Sequence, residues 1–238
     1  MSRPQQLPIV DRASTLGGLV AEWPRSAALF ERLGLDYCCG GGQTLEEACR
    51  TRGLDLATVT TMLAALRDDQ ATPGQGAHEL AGASIDELCE HIVDEHHEPL
   101  RRNLPRISEL LVKVVNAHGD EDPEVHRLQD AFSSTRAELE DHMRLEEESL
   151  FPACRALADG ADAHPDDELL GHLEDTHAAT GEALRNLREL GHDYRPEAAH
   201  CTTHRVLLHA LHDFELDLHQ HVHEENNLLF PAVRDRRA

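Results

Sequence analysis

In the second part of the chain, apolar residues recur every three or four positions along four long stretches, which predicts helices near 84–117, 123–158, 166–190 and 196–235. Ser84 followed by Glu87 reads as a capping box that opens the first of them. The stretches are joined by short polar connections, His118-Gly-Asp-Glu-Asp122, Asp159-Gly-Ala-Asp-Ala-His164 and Gly191-His-Asp-Tyr-Arg195, so the helices should run antiparallel, as an up-down four-helix bundle. Pro99, Pro105, Pro152 and Pro231 fall inside this periodicity and should kink or end it locally.

Ahead of these stretches, residues 14–67 read as a smaller helical module. Pro24 suits the start of a helix running to Leu33, Thr44 and Glu47 spell a second capping box, and Asp55 suits the cap of a helix with Leu56, Val59, Met62, Leu63 and Leu66 on one side. Between them Asp36-Tyr-Cys-Cys-Gly-Gly-Gly42 makes a turn. Pro73, Gly74, Gly76 and Gly82 mark a flexible linker. The expected organisation is therefore a small helical domain over 1–69, a linker over 70–83 and a bundle over 84–238.

Composition sharpens this to an all-α protein, since aromatics make up only 3% of the chain and no run of alternating β-branched residues appears. The 22 Lys+Arg against 45 Asp+Glu leave a formal charge of −23, which argues against nucleic acid or an anionic membrane as partner and is compatible with a bound cation. The first residues carry no apolar leader and no span is of membrane length, so the expected location is the cytoplasm. Cysteines 38, 39, 49, 89, 154 and 201 are irregularly spaced in a chain too large to need staples, which predicts reduced thiols, the last four packed in cores or on helix surfaces.

The chemistry enters through a repeat. His142-x-x-x-Glu146-x-x-x-x-Phe151-Pro152 recurs as His221-x-x-x-Glu225-x-x-x-x-Phe230-Pro231, with Leu139 and Leu218 before the copies and Arg155 and Arg234 after them. A His and a Glu four apart share one helix face, so each copy offers an imidazole and a carboxylate to a common point. With 18 His and 45 acidic residues one such pair is weak evidence, but two in register imply facing helices around a shared metal centre. The other two helices should complete it. On the first the choices are His91, His96 and His97; on the third, His172 and His177. The series His97, Leu104, Leu111 and His177, Leu184, Leu187 align two of these with apolar core positions, but spacing alone does not decide between His96 and His97. The remaining histidines of the last helix (His200, His204, His209, His212, His219 and His223) read as solvated or packing residues.

Asp36-Tyr-Cys-Cys-Gly-Gly41, His96-His-Glu-Pro-Leu-Arg101, the two HxxxE copies, His177-x-x-x-Gly181 and Glu225-Asn-Asn-Leu-Leu-Phe-Pro231 together resemble the hemerythrin-like domains. More closely they resemble the iron-sulfur cluster repair di-iron proteins, over nearly the whole chain. The resemblance selects His97. It implies one iron held by His97 and His142, another by His177 and His221, and Glu146 and Glu225 bridging a non-haem, carboxylate- and oxo-bridged pair of Fe ions. Mixed imidazole and carboxylate ligands suit iron. The family pattern has an acidic residue where this chain has Thr176, for which Glu174 or Asp175 would compensate, and Glu138 is a candidate support for His142 one turn away. The spelling Glu174-x-x-His177 also fits ferritin-like sites, an architecture that leaves the repeat unexplained.

What the resemblance implies is a stress-response protein that repairs iron-sulfur clusters damaged by oxidation or nitric oxide, supplying iron rather than turning over as an enzyme. Damaged iron-sulfur proteins would be its partners, and the oligomeric state is left open, a homodimer included. Cys38 and Cys39, on a flexible exposed turn, would ligate iron, accept nitric oxide or contact the damaged cluster. Two alternatives stand beside it: a sensor binding O2 or NO at the di-iron site, and a di-iron NO reductase or peroxidase.

Overall fold

The computed structural model describes residues 10–68, 80, 82–158, 160 and 165–236. Of the expected linker over 70–83 only Leu80, Gly82 and Ala83 fall within these; the rest of it lies outside the described residues. The protein is all-α. In the N-terminal segment α1 (Leu16–Glu22), α2 (Ala27–Leu33), α3 (Leu45–Arg52) and α4 (Leu56–Asp68) enclose Leu16, Trp23, Phe30, Leu45 and Leu63. The capping box at Thr44 forms with both hydrogen bonds, and Asp55 accepts from the Thr58 N–H at 2.8 Å. Helix α1 escapes the sequence reading because two glycines dilute its pattern; Thr15, accepting from the Gly18 N–H, is its only local signal.

Four antiparallel rods make the bundle. The first joins α5 (Ile85–Ile92) to α6 (Glu98–His118), the second α7 (Glu124–Leu145) to α8 (Phe151–Ala158), the third is α9 (Asp167–Leu190), and the fourth joins α10 (Thr202–Glu224) to α11 (Phe230–Asp235). Helix α6 packs between α7 and α10, and α9 lies on the other side of α7. The fourth rod starts at Thr202 rather than 196, because Pro196–Ala198 closes as a separate 3-10 turn and Cys201 takes the cap position. Before it, His192, Asp193 and Tyr194 form a left-handed turn with φ of 51°, 54° and 55°, a conformation costing each such residue about 1–2 kcal/mol. Burial of Tyr194 against the bundle core offsets part of that cost.

Each joint inside a rod is a wide turn in which an N–H reaches five residues back: Glu98 to Val93, Phe151 to Glu146, Phe230 to Glu225. A proline follows each joint, at 99, 152 and 231. A proline ring crowds the carbonyl four residues back, and a turn widened by one residue relieves that clash. Pro105, exposed on α6, lies inside the helix without such a turn. The three wide turns stand at one level, between a core containing Leu104, Leu111, Phe132, Leu184 and Leu211 and a second containing Leu88, Ile92, Leu150, Leu173 and Leu229. Polar side chains turned inward at that level are buried and meet each other.

Candidate metal centre

His97, His142, Glu146, His177, His221 and Glu225 all reach this level, and every one is buried or nearly so. Their donor atoms form two sets, His97, Glu146, His221 and Glu225, and His142, Glu146, His177 and Glu225, with the atoms of each set within 4.8 Å of one another. The two carboxylates belong to both. Glu146 sets Oε1 3.1 Å from His142 Nε2 and Oε2 3.3 Å from His97 Nε2, while Glu225 sets Oε1 3.1 Å from His221 Nε2 and Oε2 3.0 Å from His177 Nε2. One oxygen of each glutamate thus faces each set, the disposition of a bridging carboxylate.

The donors are arranged for a cation rather than for one another. Neither oxygen of Glu146, nor Oε2 of Glu225, accepts a hydrogen bond despite the nearby imidazoles. His97 Nε2 lies 3.2 Å from His221 Nε2, and His142 Nε2 3.1 Å from His177 Nε2, so lone pairs converge where a positive charge would sit. Burial, reinforced by the charge of Glu225, pushes the Glu146 carboxyl well above its usual range. Glu225 stays ionised despite burial, because His221 and His177 face it. Burial holds His97 neutral down to about 4 and His142 to about 3, and neutral imidazole is the form that ligates metal. Leaving such carboxylates buried with no cation would cost several kcal/mol. The residues fit a pair of metal ions.

The outer nitrogens fix which face of each ring points in. His97 Nδ1 donates to Glu147 at 2.6 Å, which Arg101 holds at 2.7 Å; His177 Nδ1 donates to Asn226 at 2.8 Å. The Phe151 ring stacks on His97 at 5.7 Å and the Phe230 ring on His177 at 5.8 Å. In both copies of the repeat, then, the residue after the HxxxE glutamate and the phenylalanine before the proline orient a histidine from another rod. Arg234 extends this with a two-pronged pair to Glu174 on α9, and Arg155 approaches Asp86 on α5 at 4.0 Å.

Several expectations need correcting. His97 pairs with His221 and His142 with His177, instead of His97 with His142 and His177 with His221, because the first and fourth rods turn one pair of rings together and the second and third rods the other. Glu138 is exposed and accepts from Ser134, facing away from the centre. Glu174 is engaged by Arg234 and Asp175 is exposed, so neither replaces the missing acidic residue. Thr176 itself does: its hydroxyl accepts from His142 Nδ1 at 3.0 Å and donates to the Leu173 carbonyl at 2.7 Å. His172 is exposed, and His96 turns from the centre toward Asp217 and Glu224. Burial alone would lower the His96 pKa, but those two carboxylates raise it to about 10, opposite in direction to its neighbour His97.

The cysteine turn is packed down rather than free. Asn227 donates to the Cys38 carbonyl at 3.3 Å, His223 to the Tyr37 carbonyl at 3.3 Å, and Glu31 gathers the Tyr37 hydroxyl at 3.0 Å and His219 at 2.7 Å. Cys38 is buried; Cys39 is exposed, yet its thiol donates to the backbone carbonyl of His177 at 3.3 Å. The two sulfurs lie 3.9 Å apart, and with Asp36 they form another group of potential cation donors. The hydrogen bond between the thiols, aided by burial, raises Cys38, and the same bond lowers Cys39, the better candidate thiolate. Sequence reading missed this contact because the thiol meets a backbone carbonyl, which no residue type announces. All six cysteines are free, with Cys49, Cys89 and Cys154 buried and Cys201 capping α10.

Comparison with known proteins agrees with this geometry. Residues 88–233 match the hemerythrin HHE cation binding domain, and residues 12–67 a domain of unknown function, DUF542. The chain is 31% identical to the iron-sulfur cluster repair protein ScdA of Staphylococcus haemolyticus, over 93% of this chain and 98% of that protein. It is 36% identical to the iron-sulfur cluster repair protein YtfE of Edwardsiella ictaluri and 34% to that of Musicola paradisiaca, covering 93% of this chain and 97% and 96% of theirs. Among the described residues no helix is long and apolar enough to cross a membrane.

Proposed function

The chain belongs to the hemerythrin HHE cation-binding family, among the iron-sulfur cluster repair proteins, and from that premise we propose that it is a non-haem di-iron protein that restores damaged iron-sulfur clusters by supplying iron. The observation that carries the proposal is the splitting of Glu146 and Glu225, one oxygen to each of two donor sets, which suits two ions held close together. When bound, the iron pair supplies exchangeable metal and electrons at a buried site. His97 and His221 would hold one ion and His142 and His177 the other, and the outer partners keep each Nε2 lone pair turned inward. Four imidazoles and two carboxylates offer two nitrogens to each ion, leaving positions for exchange.

Cys38 and Cys39 are the proposed point of contact with the damaged cluster. Cys39 reaches solvent on one side and the His177 carbonyl on the other, so a thiol at that spot links the protein's outside to a ligand of the centre. The partners in this reading are proteins with degraded iron-sulfur clusters.

Anaerobic incubation of the iron-loaded protein with an oxidatively inactivated iron-sulfur enzyme tests it. Recovery of that enzyme's activity is expected, with loss of recovery in a Cys38→Ala/Cys39→Ala variant that keeps its own iron. Catalytic consumption of nitric oxide or peroxide with an electron donor, without recovery of the enzyme, would overturn the proposal in favour of a reductase.

A further inference from the structure

Beside the binuclear centre, on the face turned toward α1 and α2, lies a second group of donors that the centre does not use. His91 Nε2 and His96 Nε2 each stand 3.2 Å from the same oxygen of Glu224, and the donor atoms of all three residues lie within 4.8 Å of one another. Metal–ligand bonds of about 2.1 Å put neighbouring donors roughly 3.0–3.4 Å apart in octahedral or tetrahedral coordination, so the observed spacings match the edge of a coordination sphere. Two imidazoles and one carboxylate, with the other positions open, make a donor set typical of ferrous iron or zinc.

Three further features point to a cation. Asp217 sits 2.9 Å from His96 Nδ1, so it can receive that N–H and turn Nε2 toward Glu224, as carboxylates behind metal-bound histidines do. The group opens into a cavity of about 500 Å³ between the bundle and the N-terminal segment, lined also by Glu95 and Gln220. The His96 ring lies flat on that of His221, at a centroid distance of 5.3 Å and an angle of 12°, and Glu224 precedes the bridging Glu225. One imidazole thickness separates the group from the centre.

We propose that His91, His96 and Glu224 hold a third cation, a ferrous ion in transit between the cavity and the binuclear centre. The role in transit rests on the reading of that centre as an iron store; the site itself rests on its own donors. An ion arriving through the cavity meets the acidic and imidazole groups of this site before any ligand of the buried pair. Its further path runs past the edge of His221, whose Nδ1 is buried without a hydrogen-bond partner.

Anaerobic equilibrium dialysis of the full-length protein against ferrous iron alone, followed by metal analysis, tests the site. Wild type should hold about three ions per chain and His91→Gln about two, with His91→Cys, which restores a ligand, returning the third. Asp217→Asn should weaken the third ion by about 10–100-fold. Reloading of the emptied centre should slow in His91→Gln at unchanged melting temperature. Equal iron content in wild type and His91→Gln would overturn the proposal and make the group an ion-pair network only. Equal reloading rates would remove the transit role. Failure of the binuclear reading shows separately, as Glu146→Ala holding as much iron as wild type.

Discussion

In the second rod the residue after Glu146 is Glu147, an anion held by Arg101 that takes the N–H of His97; in the fourth rod the residue after Glu225 is Asn226, a neutral amide that takes the N–H of His177. The remaining imidazoles differ as well, His142 resting on the Thr176 hydroxyl while His221 Nδ1 has no hydrogen-bond partner and lies under the His96 ring. Two copies of one motif therefore present the same inner donors with different outer support. A carboxylate behind a histidine raises its basicity more than an amide or hydroxyl does, while His221 has no outer partner at all, so the two positions should hold their ions with unequal firmness. The asymmetry suits a protein that keeps one ion while parting with the other.

The largest test breaks what the halves share. Glu146→Ala or Glu225→Ala removes a donor from both sets, and either should empty the whole centre; metal analysis in a His91→Gln background showing one ion retained would mean the carboxylates do not bridge. Next in size is removal of the metal from wild type by chelation. Binding that saturates 100-fold above Kd stabilises the folded state by about 2.7 kcal/mol, so the stripped protein should melt several degrees lower in calorimetry.

Smaller changes sharpen the contrast between the halves. Glu147→Gln should weaken one ion by about 10–100-fold and leave the other, whereas Asn226→Asp should tighten the other ion alone, as read by stepwise competition with a chelator. Thr176→Val leaves the buried His142 N–H without an acceptor, which costs about 1–3 kcal/mol and should loosen the second position alone. Least of all, Arg234→Ala should change the melting free energy by about 0–1 kcal/mol, since its pair with Glu174 is half exposed.

The helices are legible because their signals are periodic and local: the apolar stripes, the capping boxes at Thr44 in the N-terminal segment and Ser84 in the bundle, and the two HxxxE copies all act within one or two turns of a helix. The repeat even announced its outer elements, Phe151 and Phe230, though nothing in it told which rod's histidine they would stack on. That depends on how the rods are ordered around the axis, which spacing along a single strand of sequence does not encode. The pairing of His97 with His221 was hidden for the same reason, and so was the docking of the cysteine turn, which is made by backbone carbonyls that leave no trace in side-chain pattern. Thr176 departs from the family's acidic residue on its own helix, yet its hydroxyl serves His142 across the bundle, a partnership that spacing along one helix does not encode.

The wide turn after Glu225 carries two adjacent asparagines with different errands, Asn226 to His177 and Asn227 to the Cys38 carbonyl, where Gly17 and Gly41 leave room because a Cβ at either would overlap the Asn227 side chain. A single turn of backbone thus belongs to the metal centre and to the seat of the cysteine turn at once. By reciprocity of linked equilibria, whatever firmness the ions lend to the seating of Cys38 and Cys39, that seating returns to the ions in equal free energy. Under the proposed repair role, a target that draws the cysteines outward would in the same motion lower the grip on the centre's ions, tying their release to contact with a recipient rather than leaving it to diffusion.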